Sequence, residues 1–259
     1  MAKRKGASER ELDTIRKENY EKILSSLLDL VRMLKARGIT PRQLQVLSPM
    51  RSTPLGTDSL NRELQAIYNP PTEGKQEVFF RDMVFRQGDK VVNLENRDLP
   101  VIPTETFLES GSSHHADSRR ILNGQIGEFL AYLPETEQLA VRMWDVDDYV
   151  ALFDRHDMGQ KLDLAYALTV HKAQGSRYPF VIIPLVGGHW FMLNNQWLYT
   201  ALTRAYRHCW VVGEHFAFKR AATNTESVER QTWLSRQENT QNKPTLCSKN
   251  SLSPDNRSF

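Results

Sequence analysis

The apolar run FVIIPL, residues 180–185, constrains the fold more than any other segment of this chain. A short, continuously apolar run between polar residues is typical of a strand that is buried on both faces. An apolar stretch at 162–170 precedes it, and a helical pattern from Asn195 to Tyr206 and a strand at 208–214 follow it. Strands that alternate with helices predict an α/β domain.

The rest of the chain divides into segments that differ in composition and in the spacing of their apolar residues. Apolar residues at near-helical spacing predict a helix over 8–37, which Gly38 ends. A strand at 44–47 and a helix at 58–68 extend the α/β pattern. From 84 to 160, short runs between turns predict a small antiparallel β-barrel, with 99–120 as a long surface loop. Beyond 222 the polar composition predicts a disordered or partly helical tail.

Composition excludes several classes of protein. The net charge of +3 is too small to indicate nucleic-acid binding by itself. Cys209 and Cys247 lie far apart, so neither a zinc site nor a disulfide framework is indicated. The charged N-terminus lacks the apolar core of a signal peptide, and no window of about 18 apolar residues occurs. We therefore expect a cytoplasmic protein with no membrane span.

A polar cluster lies between the two apolar stretches, at residues 169–176. Its hydroxyl, imidazole, ammonium and amide groups suit phosphate oxygens, and they belong to Thr169, His171, Lys172 and Gln174. Gly175 allows a left-handed turn or a close backbone approach. The alternative interpretation is an ordinary polar turn.

A second candidate site lies in the helical pattern that ends at Tyr206. On a helix, Thr200, Thr203, Arg204 and Arg207 share one face. Two guanidinium groups beside two hydroxyls make a plausible anion site. The alternative is a solvated basic face whose arginine stems cover apolar surface.

Several strings together resemble a known family. The strings AYALTVHKAQGSRYPFVIIPL and LYTALTRAYRHCWVVGE resemble motifs V and VI of the RecD-like branch of superfamily-one helicases, and QVLSPMRSTPLGTDSLNRELQ resembles its motif IV region. The strings FRQGDKVVNLENRD and ILNGQIGEF resemble segments that open its inserted Src-homology-three-like barrel. The resemblance covers about residues 40 to 218, with the motifs in the family's order.

The resemblance implies an α/β fold with an insertion. Residues 38–83 and 161–221 would form a RecA-like parallel-sheet domain, the P-loop NTPase-like second motor domain of such enzymes (UvrD-like helicase C-terminal domain). Residues 84–160 would form the inserted barrel. An N-terminal helix (1–37) and a disordered tail (222–259) would flank them.

The resemblance also implies roles for individual residues. The backbone of single-stranded DNA would contact four side chains of motif V, those of Thr169, His171, Lys172 and Gln174. The nucleotide would lie near Gly175 and Ser176, with Arg51 as a further contact. Arg204 would be an arginine finger that reaches the γ-phosphate of ATP and stabilises charge in the transition state.

The sequence departs from the family in two ways. Arg177 stands where the family often carries a glutamate, which puts a carboxylate contact to the nucleotide sugar in doubt. No G-x-x-x-x-G-K-[ST] string occurs, and no apolar strand ends in the acidic pair that would hold Mg²⁺. The acidic run at 145–148 falls within the barrel pattern and is interpreted as a turn. We therefore expect no metal site here, and ATP and Mg²⁺ only with a partner that carries the phosphate-binding loop.

Three hypotheses follow for function. The first is the C-terminal segment of an ATP-dependent RecD-like helicase with 5′-to-3′ polarity, of the kind that serves DNA repair and recombination. Its partners would be single-stranded DNA and a first motor domain. The second is a non-enzymatic module that binds single-stranded nucleic acid or another protein. The third is an inactive helicase fragment.

Overall fold

A computed structural model describes residues 9–81, 83–110, 117–144 and 147–225. The helices are α1 (Glu9–Ala36), α2 (Thr57–Tyr68), α3 (Thr104–Ser110), α4 (Asn195–Leu202) and α5 (His215–Thr223). The strands are β1 (Leu44–Ser48), β2 (Glu77–Phe80), β3 (Met83–Arg86), β4 (Lys90–Asn93), β5 (Arg97–Pro103), β6 (Asp117–Ile121), β7 (Ile126–Leu133), β8 (Gln138–Met143), β9 (Tyr149–Asp154), β10 (Leu162–Leu164), β11 (Ala167–Thr169), β12 (Tyr178–Leu185) and β13 (Ala205–Gly213). The predicted tail beyond residue 225 lies outside the described residues. Among the described helices, none is both long and apolar enough to span a membrane.

Four parallel strands form a sheet in the order β11-β1-β12-β13, which we call the motor sheet. The apolar run at 180–185 lies in β12, and its side chains alternate between two buried layers. Ile182 packs in the cluster that contains α1, while Val181 and Ile183 pack with α4 and α5. The α/β domain predicted from this run is therefore confirmed, since helices cover both faces of the sheet.

Helix α1 packs on the motor sheet through one stripe. Leu27, Val31 and Leu34 recur at helical spacing and are at most 2% exposed. Burial of each such side chain contributes about 1.5–3 kcal/mol. The predicted helix over 8–37 is confirmed, with bounds within one residue of the observed ones.

The inserted segment forms a seven-stranded antiparallel sheet in the order β10-β4-β7-β8-β9-β5-β6, which we call the barrel. The chain leaves the motor fold after α2 and returns to the motor sheet at β11. The antiparallel insertion is confirmed. One strand was assigned differently from sequence: β10 lies in the apolar stretch expected to belong to the motor, and it pairs with β4 of the barrel. The domain boundaries themselves stay predictions.

The surface loop predicted at 99–120 is wrong. The segment contains most of β5, then α3, and then β6, with residues 111–116 outside the described part. Two prolines and many small polar residues suggested a loop, but Pro100 and Pro103 lie within β5, whose partners are β6 and β9. Pairing with two neighbouring strands overrides local composition here.

The helix predicted from Asn195 to Tyr206 is too long. Helix α4 ends at Leu202, and β13 begins at Ala205, which pairs with Tyr178 of β12. The backbone N–H of Tyr178 donates to the Arg204 carbonyl at 2.8 Å. Pairing with the motor sheet therefore ends the helix, and Arg204 and Arg207 do not share a helical face with Thr200. At the next boundary, α5 extends to Thr223, just past the predicted start of the tail.

Two consecutive buried charges join the barrel to the motor. The Asp89 carboxylate accepts hydrogen bonds from Gln65 of α2, from Asn69 directly after α2 and from the Tyr166 hydroxyl, at 2.5–2.9 Å. The Lys90 ammonium donates to the Leu44 carbonyl at 3.0 Å and to Gln45 Oε1 at 2.8 Å, both on β1. Each charge is thus satisfied by a different motor element, as buried polar groups require.

Candidate functional site

The candidate residues lie at the two ends of the motor sheet. In parallel strands the carboxyl ends share one edge, and here Ser48 of β1 is paired with Thr169 of β11 at that edge. The amino ends of β12 and β13, where Tyr178 is paired with Ala205, lie at the other edge. Strand β1 spans roughly 13 Å between the two edges at 3.3 Å a residue.

A charged cluster occupies the carboxyl edge. Arg51 Nε donates to Asp58 at 3.0 Å, and Arg51 Nη2 lies 3.5 Å from Asp163, a carboxylate that is 8% exposed. Burial raises the pKa of Asp163, while the positive charge of Arg51 acts in the opposite direction. Lys172 lies within electrostatic reach: burial lowers its pKa, while Asp163 raises it and Arg51 lowers it further.

The loop after β1 is built to hold Arg51 in place. The Ser48 hydroxyl donates to the Leu55 carbonyl at 2.7 Å, and the Thr53 hydroxyl lies 3.1 Å from His189 Nε2. A Cβ at Gly56 would lie 2.1 Å from the Arg51 carbonyl oxygen, so the loop closes on itself only with glycine there. The cluster lines a cavity of about 460 Å³ between α2 and the β2–β3 hairpin.

The polar segment 169–176 runs from one edge of the sheet to the other. It leaves β11 at the carboxyl edge and enters β12 at the amino edge, crossing β1 on the way. The side chains of His171 and Gln174 are exposed, and those of Thr169 and Lys172 are half-buried. Gly175 has a φ of +85°, so the predicted left-handed turn is confirmed.

Arg204 is tied to this segment at the amino edge. Its Nη1 donates to the Ser176 carbonyl at 3.2 Å, its Nε to the Thr200 carbonyl at 3.1 Å, and its Nη2 to the Thr203 hydroxyl at 3.4 Å. A guanidinium carries five N–H groups, so two remain for a ligand. Arg204 therefore connects the two candidate sites, the polar segment 169–176 and the stretch that ends at Tyr206. The shared helical face predicted for the second site does not exist, because α4 ends at Leu202.

The predicted nucleotide contacts do not share one edge. Ser176 and Gly175 lie with Arg204 at the amino edge, whereas Arg51 follows the carboxyl end of β1 and pairs with Asp58 and Asp163. The assignment of Arg51 to a nucleotide stays a prediction. Lys172 is the predicted DNA-contacting residue whose charge interacts with Arg51.

Sequence reasoning missed three residues that shape these surfaces. Asp163 was part of an apolar stretch, and the lone acid in that stretch was the signal that could have found it. Arg42 and Trp144 come together across the motor–barrel junction, with the Arg42 guanidinium carbon 5.6 Å from the centre of the Trp144 ring. Nothing in the sequence pairs these two, because they lie about a hundred positions apart.

The acidic run at 145–148 is only partly described, since residues 145 and 146 lie outside the described part. Asp148 accepts two hydrogen bonds from Arg142, at 2.7 and 2.8 Å, and one from Thr104. These bonds lower the pKa of Asp148. Within the described ranges, no group of three His, Cys, Asp or Glu side chains is placed to hold a metal ion.

Two family models match the chain. The UvrD-like helicase C-terminal domain matches residues 164–212, which contain the polar segment, α4 and Arg204. The ATP-dependent RecD-like DNA helicase SH3 domain matches residues 60–143, which contain most of α2 and much of the barrel. The two matches fall on the motor and on the insertion.

A curated relative agrees with these models. The chain is 35% identical over 196 residues to the ATP-dependent RecD2 DNA helicase of Deinococcus radiodurans, a match that covers 73% of this chain and 24% of that protein. It is 34% identical over 71 residues to an uncharacterized protein of Methanocaldococcus jannaschii, covering 27% of this chain and 6% of that protein. The chain thus spans about a quarter of the length of its RecD2 relative.

Solved structures of two Pif1 helicases are also similar. The Bacteroides enzyme in complex with ADP-AlF3 and ssDNA is 18% identical, with a TM-score of 0.38 over 68% of this chain and 42% of that one. The Candida albicans enzyme is 14% identical, with a TM-score of 0.40 over 75% of this chain and 49% of that one. The family models and the RecD2 relative confirm the resemblance: this chain is similar to the C-terminal segment of RecD-like helicases, including their SH3-like insertion.

Proposed function

We propose that this chain is the half of an ATP-dependent RecD-like motor that binds the DNA backbone and contacts the γ-phosphate of ATP. In the complete assembly, ATP hydrolysis would drive 5′-to-3′ translocation on single-stranded DNA, and a first motor domain on a partner would carry the phosphate-binding loop and Mg²⁺. The observation that supports this most is the contact between Arg204 and the Ser176 carbonyl, which couples the two candidate motifs.

Arg204 fits the role of a finger for ATP bound to the partner. Its hydrogen bonds to Thr200, Thr203 and Ser176 hold the guanidinium at the amino edge, and two N–H groups remain for phosphate oxygens. A positioned guanidinium stabilises the charge that develops on the transferred phosphoryl group, an effect worth about 10³-fold or more in rate. Gly175 and Ser176 would lie beside the nucleotide.

Four side chains of the polar segment would contact the DNA backbone: Thr169, His171, Lys172 and Gln174. Lys172 carries the positive charge among them, and it is half-buried beside Asp163. A lysine that neutralises one phosphate of a single strand contributes about 0.7 to the dependence of log affinity on log salt. Its removal should therefore change both the affinity and the salt slope.

DNA binding is tested with the purified chain and a labelled single-stranded oligonucleotide. We expect Lys172→Ala to weaken binding several-fold and to lower the salt slope by about 0.7. The matched control is Lys161→Ala, which removes a half-exposed lysine of the barrel–motor connection that pairs with Glu95. Equal loss in both variants would show that only net charge matters and that the polar segment is not the contact.

The finger is tested by adding the first motor domain of the Deinococcus radiodurans relative as a separate chain. DNA-stimulated ATP hydrolysis should appear in the mixture and fall by about 10³-fold with Arg204→Ala. Arg207→Ala is the control, because Arg207 is exposed and only three residues away on β13. If the chain alone hydrolyses ATP and Arg204→Ala abolishes that activity, the proposal that it depends on a partner is wrong.

A non-enzymatic module that binds single-stranded nucleic acid is the second candidate. The exposure of His171 and Gln174 in the polar segment favours it, because these groups suit phosphate oxygens of a nucleic-acid strand whether or not a nucleotide site is completed. This candidate predicts salt-dependent DNA binding that ATP does not alter, and no hydrolysis in the mixture with a first motor domain.

A further inference from the structure

A groove lies where the barrel meets the amino edge of the motor sheet. It has a volume of about 420 Å³, and we call it the junction groove. The barrel lines it with the loop at 122–126 and with Trp144, and the motor lines it with Arg42 and with the segment from Gln174 to Tyr178. A Cβ at Gly124 would lie 3.1 Å from the Lys172 carbonyl oxygen, so the barrel loop lies directly against the polar segment.

Two guanidinium groups line this groove with their donors unused. Among the residues that the structure describes, Arg177 makes no hydrogen bond or ion pair, and its side chain is exposed. Arg42 is also exposed, and its guanidinium carbon lies 5.6 Å from the centre of the Trp144 ring. A cation–π contact leaves the N–H groups of a guanidinium available for a ligand.

The groove also contains a neutral donor and little opposing charge. The side-chain amide of Gln174 is exposed in the groove and has no hydrogen-bond partner within the described part of the chain. Asp148 lies within electrostatic reach of Arg42, but Arg142 already holds that carboxylate through two bonds. No acidic side chain lines the groove among the described residues. Forked guanidinium donors of this kind match phosphate oxygens.

We infer that Arg177 and Arg42 form an anion site in the junction groove that takes a phosphate group of a nucleic-acid strand or of a nucleotide. Gln174 adds a neutral hydrogen bond, and the Trp144 ring makes a cation–π contact with the Arg42 guanidinium. This inference rests on the proposed function, since it extends the DNA contacts of the polar segment towards the barrel. It also gives a role to Arg177, which stands where the family often has a carboxylate.

The test compares single variants in oligonucleotide binding. Fluorescence anisotropy of a labelled oligothymidylate of about 12 nucleotides is measured at several salt concentrations. We expect Arg177→Ala and Arg42→Ala each to weaken binding about 5- to 10-fold and to lower the salt slope by about 0.7. Arg177→Lys should retain part of the affinity, because it keeps the charge and loses the fork.

A matched variant controls for net charge. Arg120→Ala removes one positive charge from an exposed barrel side chain that pairs with Asp98, and it should bind as the wild type does. The double variant Arg42→Ala/Arg177→Ala should lose less than the sum of the single losses if both hold one phosphate. Thermal unfolding of each variant checks the fold, which exposed substitutions should leave intact.

Two results separate this inference from the proposed function. If the wild type binds DNA and Lys172→Ala weakens it, but Arg177→Ala and Arg42→Ala behave like Arg120→Ala, the anion site is wrong and the proposed function stands. If the wild type binds no oligonucleotide, the proposed function fails. The groove is then probed with a fluorescent ATP analogue: loss of its binding in Arg177→Ala supports a nucleotide phosphate, and unchanged binding overturns the site.

Discussion

The buried ammonium of Lys90 should make the stability of this protein rise with pH. Burial lowers the pKa of Lys90 from 10.5 to about 7. Between these two values the unfolded chain carries a proton that the folded chain has lost, so raising the pH favours the folded state. Below pH 7 both states are protonated, and the folded state bears the full cost of the buried charge.

The size of the effect follows from the two pKa values. Integration of the proton difference from pH 7 to pH 9 gives about 2 kcal/mol of added stability. Cys209 opposes it weakly, because burial raises the pKa of its thiol from 9.0 to about 11, so the unfolded thiol ionises first. That opposing contribution is on the order of 0.4 kcal/mol at pH 9.

Lys90→Met isolates the contribution of the ammonium. Methionine fills a similar volume and cannot titrate, so the part of the rise that Lys90 supplies should be lost in this variant, leaving the contributions of Lys172 and Cys209. The variant also leaves the Pro41 and Leu44 carbonyls and Gln45 Oε1 without their donor, so it should be less stable than the wild type at pH 9.

The measurement is denaturant unfolding at pH 7, 8 and 9. Lys161→Met serves as the control, because Lys161 is a half-exposed lysine and its loss should leave the pH dependence unchanged. Equal pH slopes in the wild type and in Lys90→Met would refute the reasoning, since no other step in it distinguishes the two proteins.

Three further predictions concern the supports of the site. Gly56→Ala should cost about 2 kcal/mol or more of unfolding free energy, because its Cβ would lie 2.1 Å from a backbone oxygen; Ser52→Ala in the same loop should cost under about 1 kcal/mol, and equal losses would contradict this. Asp89→Ala should cost about 3 kcal/mol or more in urea unfolding, because four donors lose their acceptor in a buried site; a cost below about 1 kcal/mol would show that water replaces the carboxylate. Burial lowers the pKa of His189 from 6.5 to about 4. Between these two values the unfolded chain binds more protons than the folded chain, so up to about 3 kcal/mol of unfolding free energy should be lost as the pH falls through this range. Unfolding of His189→Gln measured from pH 7 to pH 4 should show a weaker dependence, and an unchanged one would contradict the assignment.

Short-range patterns predicted much of the motor fold. The apolar run in β12, the stripe of α1 and the helix α2 each follow from spacing within a few residues, and the structure agrees with all three. The left-handed turn at Gly175 followed from the glycine itself. Such features depend on residues that are close neighbours in the sequence, so the sequence pattern alone predicts them.

Features that depend on distant partners were missed or misplaced. The segment at 99–120 has a composition typical of a loop, and its strands form only because β9 lies beside β5. The helix expected to reach Tyr206 stops at Leu202, because the following residues pair with β12. In both places a long-range hydrogen-bonded ladder outweighs a weak local preference.

The patterns in the sequence and its resemblance to a family predicted an α/β motor domain with an antiparallel insertion. They also identified two polar segments as candidate sites. Tertiary structure decided how the candidates are grouped. It separates Arg51 from Ser176 and Arg204 by the length of β1, and it brings Arg42, Trp144 and Arg177 together across the junction groove. The reason is physical: the direction and register of the parallel strands determine which loops meet at an edge, and these arise from hydrogen bonds between residues far apart in the chain.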